Sequence, residues 1–352
     1  MRYYFKNNTS IGSKDRKWIA QTVYGLKRWE TLADFVSEKK GFDDPIDTFM
    51  YLQEKNFRID APDHIAVSFP KELFELFVKH YGGEKATEIC RVLNEEAPVT
   101  IRSNPLKISR RDLMQTLKDF SPEKTPTSPF GIKFPQRVNF FGLPEFKQGF
   151  FEMQDEASQI AAQLVDAEPG QKVLDYCAGS GGKTLAFAHK LQGKGQIFLH
   201  DVRERALIEA KKRMKRAGIE NYQIVDSKTV KKPRFANSMD WILLDVPCSG
   251  TGTLRRNPDM KWRITPAAIQ ELVVKQREIV EKALKLLAPG GKIVYATCSI
   301  LPEENQEQID YFEKHFDLVP CGEPFVSLPE TGKRDGFFAL VMQKKDTYTN
   351  KP

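Results

Sequence analysis

Short apolar runs alternate with amphipathic stretches from about residue 150 onwards. These runs predict buried strands near 172–176, 195–200, 221–225, 240–245 and 291–297, and a closing strand over 336–342. Helical patterns fill the intervals between them. Because strands that alternate with helices usually form a parallel sheet, the pattern predicts an α/β domain over 151–345.

The first 95 residues follow a helical period instead. Ile19, Val23 and Leu26 recur at helical spacing, which predicts an N-terminal helical domain over 1–95. Nothing in this segment indicates catalysis.

Residues 96–150 combine strand-like and helix-like patterns. A strand-like run covers 99–104 and a helical pattern covers 109–117. A proline-rich stretch over 121–136 predicts an exposed loop, and strand-like residues return at 138–141. The segment is therefore predicted to be a small α+β module.

The strand at 172–176 runs directly into a glycine-rich loop. Residues 172–184 read KVLDYCAGSGGKT, which predicts a strand, a tight loop and the start of a helix. Gly179 and Gly181 allow positive φ and a close approach of the backbone to a ligand. Ligands of open α/β sheets bind beyond the carboxyl ends of the strands, so this loop is the candidate ligand site.

The loop matches neither of two common nucleotide motifs. A phosphate-binding loop needs glycine where Cys177 stands, and the dinucleotide motif needs glycine where Thr184 stands. Acidic residues after the next strands indicate a nucleoside site instead. Asp201 is placed to hold ribose hydroxyls, and Asp226 to receive the adenine end.

Composition and charge narrow the class of protein. The 352 residues are 40% hydrophobic, no apolar run approaches about 20 residues, and the first ten residues lack an apolar signal core. We therefore expect a cytoplasmic, monomeric protein without a membrane span. Five widely spaced cysteines argue against a disulfide framework, and no His or Cys spacing indicates a metal site.

The net charge of +7 is unevenly distributed. Residues 101–150 hold nine Lys/Arg against four Asp/Glu, and residues 201–300 hold twenty against eleven. Such basic regions suit a polyanion, although the lysine-rich stretch 211–216 alone is more simply explained as a solvated helix face.

Two of the predicted strands lead into thiols. Asp245 ends the strand at 240–245 and Cys248 follows it, while Cys298 follows the strand at 291–297. One buried cysteine is ordinary packing, but two at neighbouring strand ends beside an acid favour a reactive pair.

These motifs resemble the RsmB/NOP2/Sun family of S-adenosylmethionine-dependent RNA cytosine-C5 methyltransferases, in its bacterial rRNA branch. The matching stretches are QDEAS at 154–158, DYCAGSGGKT at 175–184, DVPCSGTG at 245–252, RRNPD at 255–259, ATCS at 296–299, EEN at 303–305 and DGFF at 335–338. Weaker similarity reaches RSN at 102–104 and residues 12–28, which resemble the start of a NusB-like helical domain.

The resemblance implies a Rossmann-like class I methyltransferase sheet of about seven strands. It implies that S-adenosylmethionine is bound by Cys177, Ala178, Gly179, Ser180, Gly181, Gly182, Lys183, Asp201, Asp226 and Asp245. Cys298 is then the nucleophile that adds to cytosine C6, Asp245 holds the base edge, and Cys248 assists product release. Lys183 is one candidate for lowering the pKa of the attacking thiol.

An RNA cytosine must be unpaired or flipped before its C6 can be attacked. The candidate RNA-binding residues are Arg102, Asn104, Arg255, Arg256 and Lys261, which would contact the phosphates around the target. The helical domain favours ribosomal RNA as the substrate.

Three alternatives stay open. The chain could be a non-catalytic RNA-binding or assembly protein on the same scaffold, or it could act on tRNA. A small-molecule or protein methyltransferase would share the fold but would need neither the two cysteines nor the basic module.

Overall fold

A computed structural model describes residues 1–344, except for the side chain of residue 2. Contacts within the chain divide it into two compact units. The first combines Met1–Glu96 with Thr253–Pro266, and the second combines Ala97–Gly252 with Ala267–Pro352. Residues 253–266, predicted as part of the α/β domain, are thus grouped with the helical unit. The last residue of the predicted domain, 345, lies outside the described residues.

The first unit is helical. Its helices are α1 (Arg2–Asn7), α2 (Ser13–Arg28), α3 (Glu30–Lys40), α4 (Pro45–Glu54), α5 (Asp63–Ala66), α6 (Lys71–Tyr81) and α7 (Gly83–Leu93), followed by the 3-10 turn Pro258–Arg263. Leu32, Val36 and Leu52 form part of its core. Among residues 1–344, no helix combines the length and apolar character that a membrane crossing requires.

The second unit begins with a small antiparallel sheet. Its strands are β1 (Val99–Ser103), β2 (Glu123–Lys124), β3 (Gly131–Phe134) and β4 (Phe151–Met153), in the order β2-β3-β1-β4, with helices α8 (Arg110–Thr116) and α9 (Pro144–Lys147). The side chain of Ser109 caps α8 by accepting from the Asp112 N–H at 3.1 Å.

Two details of the small module were predicted wrongly. The stretch 121–136 is not simply an exposed loop, because it contains β2 and the central strand β3, whose Ile132 and Phe134 are buried. The prolines flank these strands rather than interrupt them. Residues 138–141 form no strand and lead into the 3-10 turn Phe140–Gly142.

The larger sheet contains eight strands among the described residues. They are β5 (Lys172–Asp175), β6 (Gln196–Leu199), β7 (Tyr222–Ile224), β8 (Met239–Asp245), β9 (Leu287–Thr297), β10 (Leu318–Pro320), β11 (Phe325–Ser327) and β12 (Phe337–Lys344). Their order is β10-β12-β9-β8-β5-β6-β7, and β11 pairs with β12. Strands β5 to β9 are parallel, whereas β12 is antiparallel to its neighbours.

Helices cover this sheet: α10 (Glu156–Gln163), α11 (Thr184–Phe187), α12 (Glu204–Ala217), α13 (Pro266–Leu284) and α14 (Gln306–His315). Val173 and Leu174 are both fully buried, in two different apolar clusters. A strand buried on both faces needs a continuous apolar run, which is the pattern seen in the sequence. The mostly parallel α/β fold is confirmed, and it brings the carboxyl ends of β5, β6, β8 and β9 to one edge.

Candidate active site

The glycine-rich loop leaves the end of β5 and is pinned to both neighbouring strands. The Tyr176 N–H donates to the Leu243 carbonyl at 3.0 Å, and the Ala178 N–H donates to the His200 carbonyl at 2.9 Å. Gly179 and Gly181 then adopt φ of +52° and +78°. A residue with a Cβ is strained at the φ of Gly181, and its Cβ would also displace the Met214 side chain, so this position favours glycine.

Asp201 follows β6 and meets this loop. Its Oδ2 accepts from the Gly179 N–H at 2.8 Å, and its Oδ1 accepts from the Arg203 N–H at 2.8 Å. The Arg203 guanidinium also donates to both oxygens, at 3.1 and 3.2 Å. Burial raises the pKa of Asp201, but these hydrogen bonds outweigh burial and leave it lowered. A charged acceptor therefore stands beside the loop, as a ribose site requires.

Asp226 lies in the turn after β7 and is exposed. Its Oδ1 accepts from the Thr229 N–H at 2.6 Å and from the Lys228 N–H at 3.1 Å. Hydrogen bonds from Thr229 and Lys228 lower its pKa. The structure thus shows a charged turn-capping carboxylate, and contact with an adenine stays a prediction.

His200 was missed by sequence reasoning. It is buried, and its Nδ1 lies 2.8 Å from the Tyr176 carbonyl while its Nε2 lies 3.1 Å from Ser227 Oγ. It therefore links the glycine loop to the turn after β7. His200 could have been found from the sequence by its position at the end of a predicted strand, directly before Asp201.

Asp175, the last residue of β5, provides a test of whether this loop fits the predicted cofactor. Thr184 Oγ1 donates to its Oδ2 at 2.6 Å, but its buried Oδ1 has no hydrogen-bond partner within the described residues. Burial raises the pKa of Asp175 to about 7. A buried acceptor without a donor suits an ammonium group such as that of the methionine part of S-adenosylmethionine, so the residues present fit this cofactor.

Asp245 ends β8 and pairs with Lys183 at the end of the glycine loop. The Lys183 Nζ lies 2.5 Å from Asp245 Oδ2 and 4.9 Å from the centre of the Phe337 ring. Lys183 is buried, while the Asp245 side chain is one-third exposed. Lys183 thus pairs with a carboxylate. This contact gives no support to the prediction that Lys183 lowers the pKa of the attacking thiol.

The two predicted thiols are neighbours. Cys248 Sγ and Cys298 Sγ lie 3.3 Å apart, and both residues are half-buried. The Gly252 N–H donates to the Cys298 carbonyl at 2.9 Å, which holds their loops together. The hydrogen bond with Cys298, followed by burial, raises the pKa of Cys248 well above its usual range.

Glu304 organises the loop that carries Cys248. It is fully buried, and its carboxylate accepts from the Ser249 N–H at 2.8 Å, Ser249 Oγ at 2.5 Å and Gln276 Nε2 at 3.0 Å. The same Gln276 amide donates to the Pro247 carbonyl at 3.0 Å. In the sequence Glu304 stands within the EEN motif, but that motif alone indicated no role in holding the loop.

The structure contradicts the predicted RNA contacts of Arg102 and Asn104. Both side chains are buried. Asn104 Nδ2 donates to the Gly149 and Ala217 carbonyls, each at 2.9 Å, and Arg102 Nη1 donates to the Gly182 carbonyl at 3.2 Å. These side chains satisfy backbone groups of the second unit and are not available to a phosphate.

Arg255 and Lys261 are likewise buried, at 0% and 1% exposure, so their predicted phosphate contacts are wrong. Lys261 Nζ donates to the Arg28 and Ser68 carbonyls at 2.6 Å and to Asn94 Oδ1 at 2.9 Å. A buried ammonium needs such acceptors, and it is tied up within the first unit. Arg256 is exposed, and its RNA contact stays a prediction.

Comparison with known proteins gives consistent matches. A family model described as 16S rRNA methyltransferase RsmB/F matches residues 162–341, and the ferredoxin-like domain of RsmF/B-like methyltransferases matches residues 69–140. A probable ribosomal RNA small subunit methyltransferase B from Synechocystis is 34% identical over 306 residues, which cover 79% of this chain and 67% of that protein.

Ribosomal RNA small subunit methyltransferase B from Yersinia enterocolitica is 35% identical over 270 residues, which cover 73% of this chain and 62% of that protein. The chain thus spans about two thirds of these curated relatives. A solved methyltransferase homolog from Pyrococcus horikoshii is 28% identical with a TM-score of 0.70, over 80% of this chain and 98% of that one. These matches confirm the predicted family, fold class and S-adenosylmethionine cofactor.

Proposed function

Because the chain belongs to the 16S rRNA methyltransferase RsmB/F family, we propose that it transfers a methyl group from S-adenosylmethionine to C5 of a cytosine in ribosomal RNA. The proposed route passes through a covalent bond between Cys298 and C6 of the base. The observation that carries this proposal is the pair of sulfur atoms 3.3 Å apart at neighbouring strand ends. The one-third exposed carboxylate of Asp245 ends the strand that leads to Cys248.

The order of bond changes follows from the chemistry of cytosine. C5 is too weak a nucleophile to take a methyl group directly, so the Cys298 thiolate first adds to C6 and makes C5 electron-rich. The cofactor, when bound, would supply the electrophilic methyl group: the new C5–carbon bond forms as the bond from that methyl to the sulfonium sulfur breaks, leaving S-adenosylhomocysteine. A base then removes the C5 proton, and the C5–C6 double bond re-forms as the sulfur leaves C6.

The roles of the two thiols differ because only one needs to be a thiolate. The two sulfur atoms are within hydrogen-bond distance, and either can be the donor. An S–H on one cysteine would stabilise a thiolate on the other. The family resemblance, in which the thiol of the ATCS motif attacks, decides between them. We assign the attack to Cys298 and give Cys248 the role of assisting the departure of the sulfur from the product.

Asp245 is proposed to hold the target base. Lys183 engages its Oδ2, which orients the carboxylate and leaves Oδ1 to accept from the N4 amino group of cytosine. Asp245 thus favours the base in the orientation that presents C6 to a thiol. A carboxylate that can bind a base edge, with two thiols nearby, supports a nucleobase as the substrate. A small-molecule or protein substrate would not require the two thiols.

The cofactor is proposed to lie along residues 177–183. Asp201 would accept the ribose hydroxyls after its exposed Arg203 partner moves aside, and Asp226 would meet the adenine end. Asp175 would accept from the ammonium group. These residues bind and orient the cofactor, and none of them takes part in bond changes.

RNA contact is assigned to exposed basic residues rather than to the buried ones. Lys124 and Lys133 of the small sheet line a cavity of about 260 Å³ together with Arg334. Arg334 is three residues from Phe337, whose ring lies against Lys183. Glu123 and Glu156 also line this cavity, and Glu123 pairs with Lys133, so Lys124 and Arg334 are the basic residues proposed to meet a phosphate. The choice between ribosomal RNA and tRNA rests on the family alone.

The two thiols can be separated by trapping experiments. We expect Cys298→Ala to bind cofactor and RNA but to form neither an adduct nor 5-methylcytosine. Cys248→Ala should attack and methylate, then stall with RNA attached, giving a band that survives denaturing gel electrophoresis. The double variant should trap nothing. Cys321→Ala removes another half-buried cysteine and should behave like the unaltered protein.

Two other results would change the proposal. Trapping by Cys298→Ala would make Cys248 the nucleophile. Methylation that persists in both single variants would reduce the cysteines to packing residues and refute the covalent route. Intact RNA binding without methylation in the unaltered protein would favour the assembly-factor alternative.

A further inference from the structure

The small sheet reaches the cofactor loop through Arg102. This side chain projects from β1, is 2% exposed, and donates from Nη1 to the Gly182 carbonyl at 3.2 Å. It also donates to Gln154 Oε1, just after β4. The Gln154 amide in turn lies 3.4 Å from the same Gly182 carbonyl. One loop carbonyl is therefore held by two side chains, one from β1 and one from the residue that follows β4.

A second contact starts from Arg213 on α12. Its Nη1 donates to the Ser180 carbonyl at 3.0 Å and to Ser180 Oγ at 2.7 Å. Its Nη2 donates at 3.0 Å to Glu152, a buried residue of β4 that also pairs with Arg216. The small sheet thus fixes Arg213, and Arg213 fixes the loop. We name Arg102, Gln154, Glu152 and Arg213 the loop clamp.

The clamp acts on a glycine-rich segment, which is costly to order. Residues 179, 181 and 182 are glycines, which lose the most conformational freedom when they are ordered. In a trans peptide the carbonyl and the following N–H point in opposite directions, so holding the Gly182 carbonyl also directs the Lys183 N–H. Holding the Ser180 carbonyl directs the Gly181 N–H in the same way.

We propose that the small α+β module is a positioning element for the cofactor loop, and that the loop clamp sets the affinity for S-adenosylmethionine. Arg102, Gln154 and Arg213 touch neither reacting atoms nor substrate in this proposal, and they act by orienting the backbone of residues 180–183. This inference rests on the proposed function only in taking residues 177–183 as the cofactor site.

The test uses Arg102→Met and Gln154→Leu in the full chain. We expect affinity for S-adenosylhomocysteine, measured by calorimetry, to fall about tenfold in Arg102→Met and less in Gln154→Leu. Amide hydrogen exchange at residues 179–183 should be faster in the ligand-free variants. Arg110→Met is the matched control, because Arg110 also donates to a carbonyl within the module, that of Ser128 at 2.8 Å.

Unchanged affinity and unchanged loop exchange in Arg102→Met would overturn the inference. An equal loss of affinity in Arg110→Met would also overturn it, because general loosening of the module would then explain the effect. If Arg102→Met fails to fold, the milder Gln154→Leu still decides. Neither readout involves RNA or methylation, so failure of the proposed reaction would leave this test intact.

Discussion

The glycine loop and the two thiol loops occupy the same edge of the sheet but are held in opposite ways. The glycine loop is held at the Gly182 and Ser180 carbonyls by Arg102 and Arg213, in addition to the Asp201 carboxylate at its Gly179 N–H. The loop of Cys248 is held at N–H groups and side chains by one buried carboxylate, that of Glu304. Both supports come from elsewhere in the chain, but one loop is held at carbonyls by cations and the other is held at N–H and hydroxyl groups by a carboxylate.

The difference matches what each loop must do under the proposed function. A cofactor enters and leaves at every turnover, so its loop benefits from supports that orient the backbone without filling the site. The thiols must meet one carbon atom of a base, and a displacement of about 1 Å can cost about 100-fold in rate. Variants of the two supports should therefore separate cofactor binding from the chemical step.

The largest expected effect comes from Glu304→Gln. The amide keeps one acceptor oxygen, which can still accept from the Ser249 N–H and Gln276, but it places an NH2 donor against Ser249 Oγ, which donates to the other carboxylate oxygen. We expect single-turnover methylation to fall about 100-fold or more, because the Cys248 loop shifts. Cofactor affinity measured by calorimetry should stay within about twofold of the unaltered protein.

Glu307→Gln is the control for this variant, since Glu307 lies exposed in the first turn of α14. It should keep normal methylation. A loss of cofactor affinity in Glu304→Gln as large as its loss of methylation would show that the two loops are not separately supported.

The features of this sheet edge that could be predicted are those marked by a short stretch of sequence. Continuous apolar runs marked β5, β6, β8 and β9, because strands buried on both faces need them. Glycines marked the loop after β5, and its positive φ values explain why glycine is favoured there. The thiols could be placed near each other because parallel strands end on one side.

The supports were not predicted because they depend on contacts between distant residues. Lys261 finds acceptors on residues 167 to 233 positions away in the chain, and Arg102 reaches a carbonyl 80 positions away. In the sequence a buried arginine and a phosphate-binding arginine look identical. Net charge indicated a polyanion but could not tell which basic residues are already bonded within the protein.

The segment 253–266 is a second case in which contacts with distant residues could not be predicted from the sequence. It follows the DVPCSGTG stretch at 245–252, so its position in the sequence places it in the catalytic domain. Its buried Arg255 and Lys261 instead contribute to the contacts of the helical unit. Its basic residues were therefore assigned to the wrong kind of partner, although Arg256 remains exposed.

A smaller effect is expected from Asp201→Ala, which should act on cofactor binding alone. The ribose hydroxyls would lose a charged acceptor worth about 1.5–3 kcal/mol, so affinity for S-adenosylmethionine should fall about 10- to 100-fold. At saturating cofactor the methylation rate should recover most of its normal value. Calorimetry and single-turnover kinetics measure the two quantities.

Asp240→Ala controls for the loss of an aspartate from the same sheet. Asp240 lies near the amino end of β8 and accepts from the Lys172 N–H at 2.8 Å, far from the strand ends that carry the loops. It should leave cofactor affinity unchanged. An unchanged affinity in Asp201→Ala would remove Asp201 from the cofactor site.

The smallest expected effect is a pH dependence of cofactor binding that comes from Asp175. Burial, opposed by the hydrogen bond from Thr184, raises the pKa of Asp175 to about 7, and Asp245, Lys183 and Asp201 are the charged groups around it. Below this pKa the carboxyl group is protonated and must lose a proton before it can pair with the cofactor ammonium. Affinity should therefore rise about five- to tenfold between about pH 6 and about pH 7.5, and then level off.

Asp175→Asn tests the origin of this dependence, because its amide can still accept from Thr184 but cannot ionise. We expect weaker binding of S-adenosylhomocysteine that is nearly independent of pH over the same range. Methylation measured at saturating cofactor should show no matching change, since Asp175 supports the glycine loop and not the thiols. A pH dependence that persists unchanged in Asp175→Asn would place the titrating group elsewhere, and the orphaned Oδ1 would then have no part in holding the ammonium.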